Sequence, residues 1–136
     1  MKTVNLTSNQ YFYNDYSAEQ STLISSVFPA SASMTEDRYK QEISGLIALL
    51  EQHKPKKVVG NMKEMFFPIS PEIQKWLDEN LFACYAKIGL KKLAIILSND
   101  LFTAVSIEQT IEDVEESAIS VKYFDDLEKG LEWCSN

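Results

Sequence analysis

The 136 residues contain one histidine, His53, and two cysteines, Cys84 and Cys134. A metal centre needs three or four imidazole, thiolate or carboxylate groups at short spacing. Here the cysteines stand fifty residues apart with no paired ligands around either, so no metal site is expected. Nucleophilic catalysis needs a base within hydrogen-bond reach of the nucleophile. His53 closes a helical pattern just before Lys54-Pro55-Lys56-Lys57, a place where the helix dipole or plain solvation accounts for an imidazole. Gly45, Gly60, Gly89 and Gly130 are isolated, so neither a phosphate loop nor a dinucleotide fingerprint exists. The acid pairs Glu115-Glu116 and Asp125-Asp126 read as a solvated face and a helix cap. Nothing argues for an enzyme or for a cofactor.

What the residue types do support is binding. In open α/β sheets, ligands sit outside the carboxyl ends of the strands, near a switch in strand order. Asn61 and Met62 follow one predicted strand, and Ser98, Asn99 and Asp100 follow the next. The adjoining loops add Met65, Phe66, Phe67, Leu101 and Phe102, and Ser70 opens the helix after the first of them. A rim of amide and hydroxyl groups around an apolar floor suits a small-molecule pocket or a partner surface. The plainer alternative is that Phe66, Phe67 and Phe102 close the end of the core. At the opposite edge, Lys54, Lys56 and Lys57 precede one parallel strand and Lys87, Lys91 and Lys92 the next, which gathers cations at the amino-terminal ends.

The elements that position these groups follow from periodicity. Gln10–Tyr16 and Gln20–Phe28 form a hairpin of aromatic and alternating residues, ended by Pro29. Ser33 or Thr35 caps a helix whose apolar face is Tyr39, Ile43, Leu46, Ile47 and Leu50. Lys57–Asn61 is a short strand. Ser70-Pro71-Glu72 opens a helix by rule, with serine at the cap, proline at the first position and an acid in the first turn. Its inner face is Ile73, Trp76, Leu77, Leu81, Cys84, Tyr85 and Ile88, and Gly89 ends it. The continuous run Leu93–Leu97 predicts a central strand covered on both faces. Ser106-Ile107-Glu108-Gln109 has capping-box spacing before another helix, Ile119–Phe124 is a last strand, and Asp125-Asp126 caps a C-terminal helix. Strands alternating with helices predict one α/β domain over residues 1–136. Its mixed, mostly parallel sheet has about five strands, opened by an antiparallel hairpin, with four helices.

Charge narrows the partners. Thirteen basic against twenty acidic residues give −7, and residues 100–136 alone carry ten acids against two lysines. With one arginine, Arg38, and a pI near 4.7, the chain lacks the field that neutralises phosphates, so nucleic acid is not an expected partner. There is no signal-peptide core and no apolar run long enough to span a membrane. Two free thiols fit a reducing compartment, which points to the cytoplasm.

Several segments together resemble the STAS-like domains, the fold of bacterial anti-sigma-factor antagonists, and within it a branch grouped with the CRAL-TRIO lipid carriers. They are Pro71-Glu72-x-Gln74-x-Trp76, the Gly89–Ile95 run, Ser106-Ile107-Glu108-Gln109-Thr110, and Tyr123–Asp126 with Trp133. The resemblance covers the last two thirds of the chain. It implies four β/α units and a non-enzymatic role in protein or ligand binding. The antagonists' phosphorylated serine lies in an Asp-Ser-x-Gly context, whereas Ser70 sits in Ile-Ser-Pro-Glu, so the phospho-switch is not carried over. The expectation is a bacterial regulatory or binding module, monomer or homodimer, that meets a protein through residues 62–76. The alternative is a small carrier of an apolar or amphipathic ligand held at the carboxyl ends of the parallel strands.

Overall fold

The structure, a computed structural model, describes residues 1–115 and 117–136; of the acidic pair Glu115-Glu116, the second residue lies outside them. One six-stranded sheet runs in strict sequence order from β1 to β6. β1 (Val4–Ser8), β2 (Phe12–Ser17) and β3 (Thr22–Val27) form an antiparallel meander. β4 (Lys57–Asn61), β5 (Lys92–Ile96) and β6 (Ser120–Phe124) continue from β3 in parallel. The expected hairpin is therefore the inner part of a three-stranded meander. β1 adds an edge strand of mixed polarity, with a bulge between Asn5 and Thr7.

Each parallel crossover moves one strand along in the same direction. The right-handed rule then places every crossover helix on one face. α1 (Glu36–His53), α2 (Pro71–Leu77), α3 (Ala83–Ile88) and α4 (Leu101–Glu115) supply that face. Tyr39, Ile43 and Leu46, Ile73, Leu77 and Tyr85, and Ile107 and Ile111 pack there on Leu23, Val58, Leu93 and Ile95. α5 (Leu127–Cys134) follows the last strand and covers the other face, where Cys134 packs with Ile24, Val59, Ala94 and Ile96. The period of two along β5 is explicit: Leu93 and Ile95 belong to one core, Ala94 and Ile96 to the other, and all four are buried. That is why the run carries no polar residue. Both thiols are free and buried. Burial pushes each above the ordinary thiol range, which leaves them inert.

The caps obey local chemistry. The Thr35 side chain accepts from the Arg38 N–H at 3.1 Å, and Ser70 Oγ accepts from the Ile73 N–H at 3.2 Å. Gly89 ends α3 in the left-handed region at φ 73°. α2 and α3 are one continuous rod joined by a π-helical turn, Asp78–Phe82, so the described residues form four α-helical rods besides the short 3-10 helix Pro29–Ser33.

One boundary differs from the sequence expectation. α4 begins at Leu101, five residues before Ser106. Asp100 Oδ2 accepts from both the Thr103 N–H, at 2.9 Å, and the Thr103 hydroxyl, at 2.7 Å. Ser106 instead lies inside the helix and donates to the Thr103 carbonyl at 2.8 Å. The segment Leu101–Ala104 is thus a helical first turn, not a loop. No helix among the described residues is long and apolar enough to cross a membrane.

Candidate functional site

The loop 62–69 between β4 and α2 is extended, and its burial alternates. Met65, Phe67 and Ile69 point inward, while Phe66 and Pro68 point out. Parity therefore fixes the fate of the two phenylalanines. Phe67 stacks on Tyr39 with ring centroids 4.7 Å apart, closing the core as the plainer reading expects, and Phe66 remains 37% exposed. Serine hydroxyls from three different segments hold the loop. Ser31 accepts from the Phe66 N–H at 3.0 Å, Ser98 donates to the Met65 carbonyl at 2.6 Å, and Ser106 accepts from the Ile69 N–H at 2.9 Å. The Asn99 N–H adds a bond to the Lys63 carbonyl at 3.0 Å. A segment whose main-chain groups are met in this way is a fixed platform.

The candidate residues separate into three groups. Asn61 faces the α5 side of the sheet, where its amide donates to Ser26 Oγ at 3.3 Å, away from the apolar loop. Met65, Phe67 and Ser98 are buried and serve the core, and Met62 is half-buried against it. Ser70 is the α2 cap and also donates to Glu36 Oε2 at 2.8 Å. Phe66, Phe102 and Asn99 reach solvent, and Asp100 is half-buried. Phe102 is 78% exposed and its neighbour Leu101 72%, with Val105 one turn on at 45%. Scattered exposed apolar residues need no explanation, but three within the first two turns of one helix do. The two hydrogen bonds from Thr103 hold the Asp100 carboxyl below the usual carboxylate range, so it stays charged beside this rim.

The carboxyl ends of β5 and β6 frame a second feature. α4 leaves β5 toward one face and α5 leaves β6 toward the other, and the backbones part between them. Strand order itself has no reversal, so this divergence stands where the expected switch would be. An open cleft of about 520 Å³ lies there, lined by Leu97, Ser98, Asn99, Tyr123, Phe124, Asp125 and Lys129. Ser98 and Asn99 were expected at such a place. Tyr123–Asp125 and Lys129 were not, although the carboxyl-end rule applied to β6 would have found Tyr123–Asp125. Asp125 and Lys129 pair at 3.1 Å. Their hydrogen bond lowers the Asp125 pKa and raises that of Lys129. Lys63 donates to the Asp125 carbonyl at 3.0 Å and ties this turn to the loop.

The basic edge is assembled by the sheet register. Lys57 pairs with Lys92, and the Lys56 carbonyl accepts from the Lys91 and Lys92 N–H groups. Two of the cations turn to partners within the chain. Lys87 meets Glu51 at 3.6 Å, and Lys92 donates to the Trp133 and Asn136 carbonyls. The His53 ring packs on Tyr16 with centroids 4.7 Å apart. Among the described residues, no group of three His, Cys, Asp or Glu is placed to hold a metal ion.

No family model, curated protein or solved structure matches the chain.

Proposed function

We propose that the protein is a non-enzymatic binding module that meets a protein partner through the rim formed by Phe66, Leu101, Phe102 and Val105. The observation that carries this reading is the pair of nearly solvent-borne apolar side chains, Leu101 and Phe102, on a helical turn locked by the Asp100 cap. Such residues cost solubility unless a partner covers them. The surroundings name the partner's chemistry. Along the outward stripe of α4, Leu101 and Val105 are followed at helical spacing by Glu108 and Glu112, both exposed. Exposed Glu64 flanks Phe66 and the charged Asp100 precedes Leu101, while the nearby Lys63 ammonium is turned onto the Asp125 carbonyl. The matching surface is an apolar centre ringed by lysine or arginine. The resemblance to STAS-like regulators supports the same reading.

A photo-crosslinking amino acid at position 102, with exposed position 19 as the control, tests this in cells. The expected result is one discrete protein adduct at position 102 that weakens as salt rises. An adduct only to lipid or to a second copy of the chain, or none above the control, overturns it. The open cleft beside the rim favours a second reading, carriage of a small amphipathic ligand. A retained mass in native spectra of the purified protein, lost on Tyr123→Ser in the cleft wall, would support that reading.

A further inference from the structure

Between β5 and β6 the sheet ends in a cleft whose chemistry runs from apolar at the base to charged at the mouth. The last rung is the bond from the Leu97 N–H to the Phe124 carbonyl at 3.1 Å. Beyond it the two chains part, Ser98 and Asn99 leading toward α4 and Asp125 toward α5. The cleft of about 520 Å³ opens from that rung. Its volume falls in the range of small-molecule sites, and open α/β sheets take their ligands at such a divergence. Leu97, Tyr123 and Phe124 are half-buried and supply its apolar surface.

The walls are held in place. The Phe124 ring packs on Trp133 with centroids 5.8 Å apart, and the Lys122 ammonium lies 5.7 Å over it. The Ser98 hydroxyl donates to the Met65 carbonyl at 2.6 Å and accepts from the Asp100 N–H at 3.0 Å. A ligand entering here meets surfaces that are already ordered, which lowers the entropy lost on binding.

Selection falls to the mouth. Asp125 and Lys129 both line it, and Lys129 Nζ donates to Asp125 Oδ1 at 3.1 Å. An ammonium has three donors and a carboxylate about four acceptor positions, and this bond uses one of each. The two side chains are 81% and 61% exposed, so the pair is weak in itself and admits further partners readily. The Asn99 side-chain amide, exposed in the opposite wall, makes no hydrogen bond among the described residues. A ligand bearing only an ammonium or only a carboxylate would be attracted by one half of the ion pair and opposed by the other. A ligand bearing both charges on adjacent groups satisfies the two halves together and leaves the mouth neutral.

We propose that the cleft binds a free α-amino acid with an aromatic or branched apolar side chain. The side chain lies on Leu97, Tyr123 and Phe124. The ammonium reaches the Asp125 carboxylate, and the carboxylate reaches Lys129 and the Asn99 amide. The assignment rests on the small-ligand reading of this cleft and is independent of the rim.

Phenylalanine, 3-phenylpropionate and 2-phenylethylamine share a ring and differ in charge. Each is titrated into the full-length protein and followed by the amide resonances of Asn99, Asp125 and Lys129. Phenylalanine is expected to give saturable shifts with a Kd of about 1 mM or below, and each single-charge analogue to bind at least about threefold more weakly. Lys129→Gln should bring phenylalanine down to the level of 2-phenylethylamine, and Asp125→Asn down to that of 3-phenylpropionate. The α5 cap is Asp126, so both variants leave it intact. If either does not fold, contacts from the ring protons of phenylalanine to the Leu97 methyls and the Tyr123 ring in the unaltered protein decide the matter. A single-charge analogue that binds as tightly as phenylalanine, or preferences that both variants leave unchanged, overturns the amino-acid assignment while the small-ligand reading stands. No saturable shift from any of the three also overturns the assignment, and the small-ligand reading falls with it if native spectra show no retained mass.

Discussion

Under α5, a methyl group added at Gly130 would lie 2.8 Å from the Ile96 side chain and 3.6 Å from Phe124. On the other face of the same sheet, under α1 to α4, Ser25 lines a 40 Å³ void. Small residues thus have opposite meanings on the two faces. Gly130 is small because an eight-residue helix must approach the sheet closely to bury Cys134, Ala94 and Ile96 with so little surface of its own. Ser25 is small although space above it is left over. The short helix covers its face alone, whereas three crossover rods share the other face, and the middle one contains the π turn.

The contrast is sharpest in core truncation. Leu93→Ala, on the void side, should cost about 2–5 kcal/mol and fall toward the upper end of that range, because the new cavity adds to one already present. Urea denaturation measures this, and a cost below about 2 kcal/mol would mean that the helices collapse into the space. Overpacking tests the tight face. Gly130→Val should destabilise by about 1–3 kcal/mol, with Gly130→Ala in the same direction but smaller. Ser25→Val tests the loose face with the opposite sign. At about 24 cal/mol per Å³, filling a 40 Å³ void offers about 1 kcal/mol, so this variant should raise Tm. A Tm that falls would show that Ser25 is needed where it is.

Much of this was readable from the chain. The Leu93–Leu97 run, the Thr35 and Ser70 caps, Asp126 before α5 and Gly89 after α3 each depend on a few adjacent residues, and each was found where local chemistry put it. β1 escaped because Val4-Asn5-Leu6-Thr7-Ser8 has only two apolar residues and a bulge that breaks its alternation. The start of α4 was misplaced because Ser106-Ile-Glu-Gln has a cap's spacing, yet Ser106 is occupied by the Thr103 carbonyl and the Ile69 N–H. That second contact joins residues 37 apart in sequence, which no local pattern reports. The carboxyl-end rule brought Phe66, Asn99, Asp100 and Phe102 into view. It could not say that Phe67 turns inward or that Asn61 faces the other side of the sheet, because both follow from parity once the register is set. The void was out of reach for the same reason: Ser25 and Gly60, which line it, become neighbours only through strand pairing.

The smallest expected effect concerns the rim. Asp100 caps α4 through its ionised carboxylate, and the hydrogen bonds from the Thr103 hydroxyl and N–H hold its pKa below the ordinary carboxylate range. A carboxyl whose pKa is lower in the folded than in the unfolded chain binds its proton less readily when folded, so its stabilisation is complete above the unfolded pKa. It is lost as pH falls through the folded one. The Tm difference between the unaltered protein and Asp100→Ala should therefore be constant from pH 7 to about 5 and shrink below about 4. Asp125, held down by Lys129, titrates over the same acidic range, but it is common to both proteins and cancels in the difference. Asp100→Asn keeps an oxygen for Thr103, so its deficit should be smaller at neutral pH, and it too should shrink in acid because only the unaltered carboxylate titrates. A gap between the unaltered protein and Asp100→Ala that does not narrow in acid would mean that the first turn of α4 is held by its packing alone. Leu101 and Phe102 would then owe their exposed position to the sheet below them and not to the cap.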